Sequence, residues 1–162
     1  MKQDNSQVEW ETPVEELIAL VLNDIKSKGY STLQPFIIGN VEERMQVFAK
    51  THSIILGCDS LYMSAKQLQH CMRPSKMQKD LVVEEIELIA FPKSRFQMDL
   101  FYDGECFIYT NGRSKFIIHP NYEIKVSRGK VKVVNFITAT KVKDPAEFTL
   151  PKYTKIQIDR LK

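Results

Sequence analysis

The feature that most constrains this chain is a change of periodicity near residue 96. Beyond it, runs rich in β-branched and aromatic residues at 96–102, 105–110, 115–119, 122–126 and 131–140 are separated by Asp103-Gly104, Asn111-Gly112, Pro120-Asn121 and Arg128-Gly129. Asp-Gly and Asn-Gly tolerate the positive φ angles that tight hairpin turns demand, whereas β-branched residues do not. The spacing therefore predicts an antiparallel meander of four or five strands. A loop is expected to open at Asp144-Pro145, with a last strand over 153–158.

Ahead of residue 96 the apolar spacing is helical. Val14, Leu17, Ile18, Val21, Leu22 and Ile25 recur at three- and four-residue intervals and form one stripe. Thr12 is a capping residue, Pro13 suits the first helical position, and Gly29 accepts the left-handed conformation that ends a helix. Short strands are expected at 35–39 and 54–56, and a second helix at 41–50. A short helix that starts at Ala65 is stopped by Pro74. A longer one over 77–91, carrying Leu81, Val82, Ile86 and Ile89, is stopped by Pro92. Helices followed by sheet make an α+β chain. At 162 residues it suffices for one domain, read as 35–162, with a helical extension over 1–34.

Composition narrows the function. The chain is 43% hydrophobic and 27% charged, the balance of a globular rather than a disordered protein. No apolar run approaches the roughly 20 residues of a membrane span, and residues 1–12 hold no apolar signal-peptide core, so a cytoplasmic location is expected. Cys58, Cys71 and Cys106 are scattered and lack Cys-x-x-Cys spacing, which argues against a disulfide framework. With His52 and His70 they match no metal-ligand pattern. No phosphate-cradling glycine loop, dinucleotide fingerprint, His-Glu-x-x-His motif or nucleophile elbow occurs. Neither metal nor cofactor is expected.

The net charge of +3 conceals an asymmetry. Residues 93–162 carry 14 basic and 7 acidic side chains and residues 1–92 carry 9 and 13, so the halves stand at +7 and −4. A basic half points to a polyanionic partner. Lysines placed on strand edges to discourage aggregation explain the same charge.

The stretch that carries chemistry runs from Ser64 to Lys76. Ser64 and Gln67 form a capping box. Lys66, His70 and Arg73 stand at i, i+4 and i+7, a spacing that puts them on one helical face, with Lys76 just beyond. An imidazole among cations is unfavourable unless an anion lies between them, and phosphate is the natural anion. Imidazole, with an ordinary pKa near 6.5, takes a proton from a ribose 2′-OH. The arginine fork meets two phosphate oxygens at once. A solvated helical face would carry the same residues with no function.

In their order, these marks resemble the phage-associated nucleases of the barnase–EndoU–colicin–RelE-like (BECR) superfamily. The resemblance is carried by Phe36-Ile37-Ile38-Gly39, a helix, and a Ser-x-x-x-Leu-x-His-x-x-Arg segment formed by Ser64, Leu68, His70 and Arg73. A helix ending near Pro92, a last meander strand with Ile137-Thr138-Ala139, and Tyr153 complete it. It spans about 35–158. It implies N-terminal helices before a four- to five-stranded antiparallel sheet. It also implies a metal-independent endoribonuclease without cofactor, acting by 2′-OH attack to leave a 2′,3′-cyclic phosphate. The setting it implies is a phage or mobile-element toxin or effector in a bacterial cytoplasm.

On this resemblance the catalytic roles fall to His70 as general base, Arg73 and Lys76 as transition-state stabilisers, and Thr138 as phosphate ligand. Lys66, Lys115, His119 and Tyr153 would contact nucleic acid. RNA is the implied partner, with tRNA among its candidates, and a protein inhibitor is the second. Two departures stand out. Pro74-Ser75-Lys76 occupies the place of a second His, which leaves His119 as candidate for a second acid. Thr138 and Thr140 both fit the threonine position. The alternative is a non-catalytic RNA-binding or protein-interaction module on the same scaffold. Geometrically, the His70 ring is expected to face the open side of the sheet, within reach of Arg73 and Thr138.

Overall fold

The computed structural model describes residues 13–157. In chain order the elements are helix α1 (Val14–Lys28), strand β1 (Phe36–Asn40), helix α2 (Glu43–Thr51), strand β2 (Ser60–Met63), and helices α3 (Ala65–Cys71), α4 (Pro74–Gln78) and α5 (Glu85–Ser94). Strands β3 (Asp99–Tyr102), β4 (Phe107–Thr110), β5 (Ser114–Val126) and β6 (Gly129–Lys141) follow, then a 3₁₀ turn (Pro145–Thr149) and the short β7 (Thr154–Lys155). The strands form one sheet in the order β1-β2-β6-β5-β4-β3-β7. Neighbours are antiparallel except β2 and β6, which run parallel.

The α+β class matches the sequence reading, but the sheet has seven strands rather than four or five. The β3–β6 meander gains β1 and β2 beyond β6, and β7 beyond β3. Two strands therefore precede α3, and the helices do not simply come first. The hairpin chemistry works as expected. Asp103 Oδ1 accepts from the Glu105 and Cys106 N–H groups, and Asn111 Oδ1 from those of Arg113 and Ser114. Pro120-Asn121, by contrast, does not turn the chain. The β5–β6 register slips between His119 and Tyr122, so two expected strands are one strand with a bulge. Proline is tolerated there because a bulge does not require its missing N–H.

The structure corrects four helical and strand expectations. Val14, not Pro13, is the first residue of α1, and Pro13 is its cap; Thr12 lies outside the described residues. Residues 54–56 form a loop rather than a strand, and Gly57 donates from its N–H to the Pro120 carbonyl at 2.8 Å. A side chain at Gly57 would sit 2.6 Å from the backbone of Lys132 and Val133, so this loop lies directly on β6. The expected helix over 77–91 is broken. Asp80 takes a φ of 55°, and the Leu81 carbonyl accepts from Lys141 N–H and the Thr140 hydroxyl, each at 3.0 Å. The chain thus leaves the helix to pair with β6 and restarts at Glu85. Pro92 lies inside α5 rather than ending it.

Helices α1, α3 and α5 share one core with the sheet. Ile18, Val21 and Leu22 of α1, Leu68 and Cys71 of α3, and Leu88 and Phe91 of α5 meet Phe107, Tyr109, Phe116, Phe136 and Ala139. Each fully buried large side chain contributes roughly 1.5–3 kcal/mol. Strand alternation then decides what faces away. Phe116 pairs with Ala139 on the core face, so Lys115, Ile117, Thr138 and Thr140 lie on the other.

Candidate functional site

The site is built at the corner between α3 and α4. Ser64 caps α3: its Oγ accepts from the Gln67 N–H and donates to Gln67 Oε1 at 2.6 Å. The helix ends at Cys71, and Arg73 is extended, with φ −67° and ψ 152°. A residue before proline is pushed out of the helical region, and Pro74 then opens α4 at its first position. Arg73 is therefore not on the helical face of Lys66 and His70, contrary to the i+7 spacing. Its guanidinium instead turns back, and Nη1 donates to the His70 carbonyl at 3.3 Å.

The corner docks on an unpaired length of strand. Strand β2 accompanies β6 only at Leu61–Val134 and Tyr62–Asn135. Past that point the outward polar groups of β6 need other partners. The Ala139 N–H donates to Cys71 Sγ at 3.2 Å, and the Ala139 carbonyl accepts from Lys76 Nζ at 2.8 Å. The same Lys76 ammonium donates to Thr138 Oγ1 at 2.8 Å. Thr138 is thus the threonine of this corner, whereas Thr140 is engaged by Leu81. Lys76 is only 7% exposed, and burial pushes its pKa down from the usual lysine value. Burial pushes the Cys71 thiol up.

His70 is exposed. Even so, partial desolvation against the corner holds its pKa below the ordinary value, and Arg73, Lys76 and Lys66 push in the same direction. Among the described residues no carboxylate opposes them. Among the described residues the His70 ring makes no hydrogen bond to Thr138; the hydroxyl is held by Lys76 instead.

The remaining candidates lie apart from the imidazole. Lys115 is ion-paired with Glu147 Oε2 at 2.6 Å, and the Tyr153 hydroxyl donates to the same oxygen at 2.6 Å. Burial alone would raise the Glu147 pKa, but these two donors outweigh it and hold the carboxyl below its usual value. Tyr153 packs its ring against Phe101 and Phe148, so it closes the sheet rather than offering a free stacking platform. Lys115 still acts electrostatically on Lys76, which joins this cluster to the corner. His119 sits at the β5 bulge, where Nδ1 accepts from the Asn121 N–H at 3.1 Å and the ring lies 5.7 Å from that of Tyr122. No contact among the described residues joins it to His70.

Cys71 and Glu147 were not singled out by sequence. Cys71 is the residue after His70, on the buried side of α3, and nothing local signals that its sulfur meets a strand edge. Glu147 lies within the 3₁₀ turn Pro145–Thr149, too short for a periodicity that would give it a face. Among the described residues no three His, Cys, Asp or Glu side chains cluster as metal ligands do, and no helix is long and apolar enough to cross a membrane. Fold and site together define an α+β protein with an exposed imidazole in a cationic corner. No protein-family model, curated protein or solved structure matches the chain.

Proposed function

We propose that the chain is a metal-independent endoribonuclease whose working groups stand at the α3–α4 corner. The observation that carries this reading is electrostatic: the exposed imidazole of His70 is acted on by Arg73, Lys76 and Lys66, and among the described residues by no carboxylate. Such a corner attracts an anion. Held below its ordinary pKa, His70 is neutral near pH 7 and competent as a base.

In the step envisaged, neutral His70 takes the proton of the ribose 2′-OH, the 2′-oxygen bonds to phosphorus, and the bond from phosphorus to the 5′-oxygen breaks. The imidazolium returns the proton to the leaving 5′-oxygen. The products are a 2′,3′-cyclic phosphate and a 5′-hydroxyl. Arg73 and Lys66 would meet the negative charge that develops on the non-bridging oxygens, help worth about 3 kcal/mol per well-placed donor. Thr138 accepts from Lys76 and stands 3.8 Å from Cys71 Sγ; its hydroxyl proton would turn from the sulfur to a phosphate oxygen. The BECR resemblance supports the roles of His70, Arg73 and Thr138 but assigns Lys76 rather than Lys66 to the transition state; it also implies RNA as substrate, tRNA among its candidates, and a protein inhibitor as partner of a phage or mobile-element toxin or effector.

The test is incubation of the purified protein with total RNA in EDTA. Fragments with cyclic phosphate ends are expected, and His70→Ala is expected to leave the RNA intact. Intact RNA at high wild-type concentration, or undiminished cleavage by His70→Ala, overturns the proposal.

One observation favours a second reading, an RNA-binding module without chemistry. The Lys76 ammonium is committed to Thr138 and Ala139, and among the described residues no carboxylate orients the His70 ring. Salt-sensitive RNA binding with no cleavage product selects that reading.

A further inference from the structure

We infer that the cavity between the 31–35 linker, the first turn of α3 and the β5–β6 hairpin is the seat of a nucleotide flanking the phosphodiester held at His70, on single-stranded RNA. This seat presupposes the nuclease reading of His70 and adds a second phosphate position to it. The cavity measures about 470 Å³, within the range of small-ligand pockets. It shares Lys66 with the corner: Lys66 lines it and also acts on His70 one helical turn away. A strand engaged at His70 therefore meets the cavity through a common cation.

Charge and shape agree on the occupant. Lys66 and Lys125 both line the cavity, and among the described residues neither has an acidic partner. Glu123, the acid of the lining, is paired with Lys130 at 3.5 Å. The net field is positive and suits a sugar-phosphate backbone. Leu33 and the Tyr122 ring supply apolar wall on which a base face would lie. The Tyr122 hydroxyl accepts a long bond of 3.5 Å from Gln67 Nε2, so its proton remains for a base edge or a 2′-hydroxyl. Bases inside a duplex could not reach this wall, which selects an unpaired strand.

The test uses the full chain carrying His70→Ala, so that binding is read without cleavage, and a short fluorescein-labelled single-stranded oligoribonucleotide. Lys125→Glu removes the second cation, and Thr32→Trp fills the cavity mouth. Both residues are exposed, and an unchanged Tm confirms folding. Each substitution is expected to weaken binding about tenfold, and Lys125→Glu is expected to lower the slope of log affinity against log salt by about one. Unchanged affinity in both variants overturns the seat. Duplex RNA binding as tightly as the single strand overturns it also. If both variants lose affinity while the protein with His70 intact cleaves nothing, the seat is upheld and the nuclease reading alone falls.

Discussion

The ammonium of Lys76 donates to the hydroxyl of Thr138 at 2.8 Å and so ties helix α4 to strand β6. Together with its bond to the Ala139 carbonyl, this gives the bare edge of β6 the partner that β2 no longer supplies. The lysine that the family resemblance offers as a transition-state stabiliser is thus first a strand-edge cap, and it carries its charge into the site as a consequence of that role.

Removing that cap is expected to cost stability. Lys76→Met keeps the stem but leaves the Ala139 carbonyl unpaired in a buried place, a loss of about 1–3 kcal/mol. Thr138→Val removes a hydroxyl while the ammonium keeps Ala139, and is expected to cost under about 1 kcal/mol. Urea unfolding with an unchanged m-value measures both. The opposite ranking would show that Lys76 does not hold the edge.

His70 behaves oppositely. Because its ring is exposed, His70→Ala is expected to change stability by no more than about 0.5 kcal/mol. Its effect on RNA cleavage is expected to be a loss of about 10²–10⁴. As a general base, the imidazole must lose its proton, so kcat/KM rises with pH and levels off. The midpoint is expected below the ordinary histidine value, since desolvation, Arg73, Lys76 and Lys66 all disfavour the charged ring. Lys66→Ala is expected to move the midpoint upward, as is added salt, which screens the cations. A midpoint that ignores both changes would place the rate-limiting proton elsewhere.

What could be read from the chain was local. The turns at Asp103 and Asn111, the Ser64 cap and the left-handed Gly29 that closes α1 are each decided by a few adjacent residues. The α3–α4 cations were likewise visible, though not the departure of Arg73 from the helix. Pairings between distant segments were not visible. Nothing in Ser60–Met63 announces a parallel partner at Val134, and the last strand expected over 153–158 forms at Thr154–Lys155 alone, with no local signal that its partner is β3. Leu81 and Val82 fitted a helical stripe, yet the carbonyl of Leu81 serves β6. The meeting of Lys115, Glu147 and Tyr153 likewise depends on how the chain returns after β6.

Arg95 illustrates a constraint of this long-range kind. It is 1% exposed, with Nε donating to the Pro92 carbonyl and Nη2 to that of Asn40 at 2.8 Å. A side chain at Gly39 would place its Cβ 2.6 Å from this Nη2, on a backbone whose φ is +153°. Gly39→Ala is expected to lower stability by about 2 kcal/mol or more, because the guanidinium can yield only by abandoning a buried hydrogen bond. Thermal unfolding measures the loss. A Tm equal to that of wild type would mean that β1, whose register against β2 shifts between Ile37 and Gly39, relaxes freely.

Glu147 gives the fold an acid-sensitive clasp. Its folded pKa lies below its unfolded value because the bonds from Lys115 and Tyr153 outweigh burial. A carboxyl of this kind stabilises the fold fully above its unfolded pKa, and the contribution is lost as pH falls through the folded one. Glu147→Gln cannot ionise, so the variant is expected to be less stable than wild type at neutral pH, by about 1 kcal/mol, and to approach it as the wild-type carboxyl becomes protonated. Lys115 is about one-fifth exposed at its side chain, so screening by salt is expected to reduce the gap without closing it. Urea midpoints for both proteins from neutral pH into the acid range measure the effect, and two parallel curves would show that the carboxyl's charge does not hold Lys115 and Tyr153 to the sheet.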